Sequence, residues 1–296
     1  VPRPVSVALA LASVYVLWGS TAPAMRVAVA TLSPWWMAAM RFSIAGGLLW
    51  IYSRVRGAPL PRKRDWLAAS VSGVILLALG NGVFAWCLQY IPSGVGSLFF
   101  ALSPMWMAIL GFFMYGERLS APATAGLLLG LAGMIYLYSP SGAQNLPTLP
   151  TVLGVASSML WAFGSIIQRR FMKTDYVQMS GMQMLAASAA LYAFALLSHA
   201  PLNAASFAPD AIWGLVYLIF LGSIVGFSAY LWLMRHVPTT LASTYSYVNP
   251  VVSLCIGVGL LHERFDWHTL VGAAVILAGV ALMMASPKRS PVPETA

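Results

Sequence analysis

Two tryptophans and a short polar run recur at matched places in this chain, and together they could hold a small molecule without any catalytic group. Trp18 follows Leu17, and Trp161 follows Leu160 at the corresponding place in the second half. Each falls near the middle of a long apolar run, where an indole N–H needs a hydrogen-bond partner or a wet cavity. A cavity lining and plain helix packing are equally open for this pair; for Trp106, packing is favoured. The densest polar run within an apolar segment holds Thr239, Thr240, Ser243, Thr244, Tyr245, Ser246, Tyr247, Asn249 and Ser253. Its matched segment holds Ser93, Ser97 and Ser103. One helical serine can satisfy itself on the carbonyl a turn back, but a cluster with Tyr245, Tyr247 and Asn249 exceeds that explanation. Asn249 precedes Pro250 as Ser103 precedes Pro104. A proline inside a helix removes one N–H and frees a carbonyl, so Pro104 and Pro250, with Pro92 and Pro238, read as hinges. Ser20, Asn81, Phe84, Ser165 and Tyr230 complete the expected wall.

Charge limits the chemistry further. The 296 residues hold only 16 bases and 7 acids, and 60% of them are apolar; mean hydropathy is +0.81. A soluble domain carries about 25% charged residues, so the chain is read as a polytopic membrane protein. Its net charge of +9 is read as topology rather than as nucleic-acid binding, because the bases sit between apolar runs. No Asp or Glu falls mid-span, which leaves a proton-coupled exporter of cations without its carboxylate. Arg26, near the end of the first span, is expected to snorkel to headgroups. Arg41 lies deeper; bonding to backbone carbonyls or sealing the bundle is favoured over substrate binding. Elimination favours a neutral or zwitterionic substrate, with dipoles serving both its ends, and facilitated movement independent of a buried acid. His199, His236, His262 and His268 lie at span ends and form no zinc-protease pattern. Cys87 and Cys255 read as small buried apolar side chains. No enzyme, cofactor or metal is expected.

The elements that must position these residues follow from hydropathy and from a duplication. Trp86, Pro92, Ser97, Pro104, Gly111, Glu117, Arg118, Gly126 and Gly133 recur 146 residues later as Trp232, Pro238, Ser243, Pro250, Gly257, Glu263, Arg264, Gly272 and Gly279. Apolar runs of about 20 residues span a bilayer. Ten are expected: Val5–Ala30, Pro34–Tyr52, Trp66–Leu88, Gly94–Tyr115, Ala121–Tyr138, Pro150–Arg169, Val177–Ser198, Asp210–Met234, Thr239–Leu261 and Trp267–Ala285. The first could pass for a signal peptide, but its Leu17-Trp18 match with Leu160-Trp161 keeps it as a helix. This ten-span reading puts 13 bases on one side of the membrane and only Arg264 on the other, which places both termini in the cytoplasm. Five spans per half then make the repeat inverted: residues 1–140, a connector at 141–149, and residues 150–296. The fold class is an all-α polytopic membrane protein. Gly80 and Gly226 match across the repeat and are expected to permit close packing or bending. Gly126, Gly130, Gly133, Gly272 and Gly279 are expected to make tight helix contacts, in the chain or at a dimer face.

Leu17-Trp18-Gly19-Ser20-Thr21 followed by Arg26, the Arg41-Phe42 pair, and Glu117-Arg118 resemble the EamA-type members of the drug/metabolite transporter superfamily. Within it the chain is most similar to the YddG-like aromatic amino-acid exporters. The second half departs from the pattern, with Gln183 near the counterpart place of Arg41 and Ala162-Phe163 for Gly19-Ser20. The buried first-span Glu of the small multidrug resistance relatives has no counterpart. The resemblance implies a central cavity lined mainly by spans one, three, four, six, eight and nine, and alternating access. It also implies export of amino acids and related metabolites across a bacterial inner membrane. A broad exporter of uncharged drugs or metabolites is the alternative. The expected partners are a small-molecule substrate and the lipid bilayer, with the chain a monomer or homodimer and no nucleic acid.

Overall fold

Long apolar runs satisfy their backbone hydrogen bonds internally only as helices, and helices are what forms. The computed structural model describes residues 4–116, 120–137, 146–171, 175–237 and 244–285, and among them every regular element is helical. The first half holds α1 (Pro4–Gly19), α2 (Thr21–Ala28), α3 (Pro34–Val55), α4 (Lys63–Gly73), α5 (Val83–Cys87), α6 (Ser93–Ala101), α7 (Ser103–Tyr115) and α8 (Ala121–Leu137). The second holds α9 (Thr148–Phe171), α10 (Tyr176–Leu197), α11 (Pro209–Tyr217), α12 (Gly226–His236), α13 (Tyr245–Gly259) and α14 (Trp267–Ala285). A π-helical stretch, Val74–Gly82, joins α4 to α5, and a second, Leu218–Val225, joins α11 to α12. Pro4–Ala28, Lys63–Cys87, Ser93–Met114, Thr148–Gln168, Tyr176–Leu197 and Pro209–Tyr230 are each long and apolar enough to cross a membrane. Ala121–Leu137 and Trp267–Met283 are shorter apolar helices. Each expected span overlaps a described helix, and the third and eighth, the most apolar of the membrane-length helices, contain π turns that hydropathy does not reveal.

The halves pack through one another rather than side by side. α3 lies along α10, α8 along α14, α1 against α12 and α13, and α9 against the π stretch of the first half. Two of these pairings are close enough to need glycine. A Cβ at Gly126 would come within 2.6 Å of the Gly279 carbonyl, and one at Gly279 within 2.5 Å of the Gly130 amide nitrogen. A Cβ at Gly181 would sit 2.8 Å from the Trp50 nitrogen and 3.0 Å from the Gly46 carbonyl. The glycines expected to mediate close contact thus serve a seam inside the chain. The outer surface is rich in exposed Leu, Val and Phe, as at Val5, Leu9, Phe113 and Ile135, which suits lipid contact. Cys87 is buried as expected, but Cys255 is exposed, because its position on α13 turns outward.

The proline interruptions differ between the halves. Pro104 stands at the start of α7, where the helix breaks at Leu102. Ser103 Oγ donates to the Phe100 carbonyl at 2.7 Å, the acceptor that Pro104, lacking an N–H, leaves free. α13 runs through Pro250, so in this half the proline lies inside a helix rather than at a break. Pro92 precedes the first turn of α6 and lies between helices rather than within one. Pro238 lies outside the described residues.

Candidate functional site

Between the halves lies a cavity of about 530 Å³. Trp18 of α1 and Trp161 of α9 both face it, each within its own aromatic group. The Trp18 ring lies 5.0 Å from Tyr230 and 5.1 Å from Tyr245, the latter edge-on, and the two tyrosines are 5.6 Å apart. Trp161 lies 5.5 Å from Phe100, which is 4.4 Å from Phe84. Phe84 and Tyr230 occupy the same place in the repeat, so the two groups are built on one plan. Their polarity differs, with phenylalanines around Trp161 and tyrosines around Trp18.

Glycine admits both tryptophans. A Cβ at Gly226 would fall 2.7 Å from Trp18 Nε1, and one at Gly80 would fall 3.2 Å from the Trp161 backbone nitrogen. Each repeat-matched glycine thus receives the tryptophan-bearing helix of the other half. The Trp18 N–H donates to the Gly222 carbonyl at 3.0 Å. That carbonyl belongs to a π stretch, a helix form common at functional sites.

Asn81, Ser97, Ser165, Ser246 and Asn249 also line the cavity. Ser97 Oγ donates to Gly94 O at 2.6 Å and Ser165 Oγ to Trp161 O at 2.8 Å, so these hydroxyl protons serve their own helices. Asn249 Oδ1 is buried with no hydrogen-bond partner among the described residues. Two expected wall residues lie elsewhere. Ser20 bonds to Val16 O at 2.6 Å and to Tyr217 Oη at 2.5 Å and turns away between Gly19 and Thr21, which do face the cavity. Tyr247 packs into the core around Ile91 and Leu98, because it sits on the opposite face of α13 from Tyr245 and Asn249. Ser243 lies outside the described residues. Trp106 packs away from the cavity and donates to Ser158 Oγ at 3.0 Å. Sequence reasoning missed Phe100, Gln168, Ser180, Ser223 and Phe227 as wall residues; the place of Phe100 one turn before Pro104 was the available signal.

The two arginines in the spans have different surroundings. Arg41 faces the cavity, buried to 6% exposure. Arg26 does not snorkel: its Nε pairs with Glu263 Oε1 at 3.1 Å, with side-chain exposures of 34% and 6%. Arg26 Nη1 also donates to the Leu88 carbonyl at 2.9 Å and to that of Ile91. Glu263 accepts from the Ser93 amide at 2.7 Å, the Ser93 hydroxyl at 3.1 Å and the Gly94 amide at 3.3 Å. It thereby caps the start of α6, where a carboxylate is favoured. This cluster joins α2, the turn after α5, α6 and the turn after α13, and so links the two halves. Its expected repeat copy, Glu117, lies outside the described residues.

A bundle that is all-helical among the described residues, in two similar halves with a shared cavity and an ion pair linking them, agrees with the sequence comparisons. The profile of the EamA-like transporter family matches residues 5–139 and again 149–285. The chain belongs to the EamA-like transporter family. It is 33% identical over 291 residues to the uncharacterized inner membrane transporter YedA of Escherichia coli (strain K12), covering 96% of this chain and 94% of that one. It is 22% identical to the uncharacterized transporter YoaV of Bacillus subtilis (strain 168), covering 93% and 96%. A solved structure titled "Crystal structure of protein" has the same fold, with a TM-score of 0.66 at 22% identity over 95% of this chain and 96% of that one. Family membership makes this a multi-pass membrane protein with a role in transport.

Proposed function

We propose that the chain exports neutral and aromatic amino acids and related metabolites across a bacterial inner membrane, by alternating access to the central cavity. The observation that carries this reading is the pair of repeat-related tryptophans, Trp18 and Trp161, facing one cavity within two aromatic groups. Rings on two sides give an apolar side chain a place to stack. Asn81, Ser246 and Asn249 offer hydrogen bonds without an acidic side chain. Ten spans in two inverted five-span repeats, with both termini cytoplasmic, complete the reading. In that orientation the Arg26–Glu263 cluster closes the outer end. YedA is named as an inner membrane transporter, which supports the location.

Proteoliposomes loaded with labelled phenylalanine, alanine, glucose and a neutral dye test the substrate class. Efflux of phenylalanine ahead of the others is expected. Efflux led by the dye would move the assignment to a broad exporter of uncharged compounds. Cysteines placed at residues 142 and 203 test the topology, and both should react with an impermeant maleimide on intact cells. Protection of either would overturn the inverted arrangement.

A further inference from the structure

Arg41 has no role in the reading above, yet it is a buried arginine in the wall of the cavity. Its Nε donates to Ser223 Oγ at 3.0 Å, and its Nη1 reaches Asn81 Oδ1 at 3.5 Å. Both acceptors are neutral, and they use only part of a fork with five N–H donors. No carboxylate pairs with Arg41 among the described residues, and no Asp or Glu lines the cavity. A cation at this depth without a counter-ion is costly. We propose that Arg41 is the anchor for a carboxylate carried by the transported molecule, which supplies the missing charge on binding. This rests on the cavity being the transport site.

The surroundings define the rest of the ligand. Ser223, which holds Arg41, follows Gly222, whose carbonyl holds the Trp18 indole. Two consecutive residues thus fix a guanidinium and an aromatic platform beside each other. Asn81 and Ser246 in the same wall carry neutral oxygens, which an ammonium group could use as acceptors. Carboxylate, ammonium and apolar side chain together describe an α-amino acid. A guanidinium offers the carboxylate two parallel bonds, and the same charge repels a ligand that is only cationic. The counterpart place in the second half holds Gln183, which donates to Ser72 Oγ at 2.8 Å, so the carboxylate has one preferred end of the cavity.

The test uses the purified full-length chain and four probes: phenylalanine, 3-phenylpropionate, phenylalaninamide and phenethylamine. Binding is followed by calorimetry. Phenylalanine and 3-phenylpropionate are expected to bind, and the two probes without a carboxylate to bind roughly ten- to a hundredfold more weakly. Arg41→Gln should erase that difference by weakening the two carboxylates while the amide and amine bind as well or better, and Arg41→Lys should restore part of it. Equal binding of all four probes to the wild type overturns the anchor and leaves the cavity assignment standing. Binding of none overturns both. Weakening of all four alike in Arg41→Gln makes the residue a structural one. Should Arg41→Gln fail to fold, the wild-type series and Arg41→Lys decide the matter.

Discussion

Arg26 and Arg41 are both arginines within apolar helices, and their surroundings could hardly differ more. Arg26 has a carboxylate at 3.1 Å and two backbone carbonyls, and its partner Glu263 is held by three further donors at the start of α6. Arg41 has one hydroxyl, one amide oxygen and the Phe42 ring 5.1 Å away, none of them charged. The first arrangement is complete within the protein and ties both halves together at one end. The second is complete only when something brings an anion. The contrast separates a group that holds a conformation from one that waits for a ligand.

Removing the acid tests the contrast most severely. Glu263→Ala strands Arg26 and exposes the first turn of α6, a loss of about 2–4 kcal/mol from the closed form. In a background with Cys87→Ser and Cys255→Ser, a Ser97→Cys probe should then react with an impermeant maleimide faster than with Glu263 intact. An unchanged rate would show that this cluster does not hold the end shut. The paired substitutions Arg26→Met and Arg41→Met sharpen the point. Without ligand, Arg26→Met should lower the melting temperature. Arg41→Met should leave it unchanged or raise it, with a gain in stability of up to about 3 kcal/mol, because a buried charge without a counter-ion is removed. If both fall equally, Arg41 is as satisfied as Arg26 and the contrast fails.

Smaller effects probe the cavity wall. Gly226→Ala places a methyl 2.7 Å from Trp18 Nε1 and should push the indole off the Gly222 carbonyl. A cost of about 1–3 kcal/mol in stability is expected, with phenylalanine efflux reduced more than alanine efflux. Trp161→Ala removes one ring contact and should weaken aromatic substrates by about 0.5–1.5 kcal/mol beyond lost area. Equal loss for phenylalanine and alanine would return Trp161 to ordinary packing.

Much of the fold was legible because hydropathy and a duplication are strong, long-range signals. The cavity was partly legible: Trp18, Trp161, Asn81, Tyr230, Tyr245 and Asn249 carry polarity or aromatic surface where neither is cheap. Tyr247 could have been set aside from helical geometry, since residues four apart share a face and those two apart do not. The Arg26–Glu263 pair was not legible, because its members are far apart in sequence and nothing local marks an arginine as paired. The π stretches were hidden for another reason: widening a helix by one residue per turn leaves composition and hydropathy unchanged. Arg41 was visible but favoured as structural, since only three-dimensional placement shows that no acid accompanies it among the described residues.

The glycine seams carry a consequence for the lipid. In hydrocarbon, helices gain no hydrophobic drive to associate, and close backbone approach supplies the attraction instead. α3 meets α10 at Gly46 and Gly181, and α8 meets α14 at Gly126, Gly130 and Gly279. Each pair takes one helix from either half. On the alternating access proposed above, these two joints would act as gaskets against acyl chains whichever end of the cavity is open. Rearrangement would then fall to the inner helices, with their break at Leu102 and their π turns, and a solute would cross a molecule whose rim stays shut.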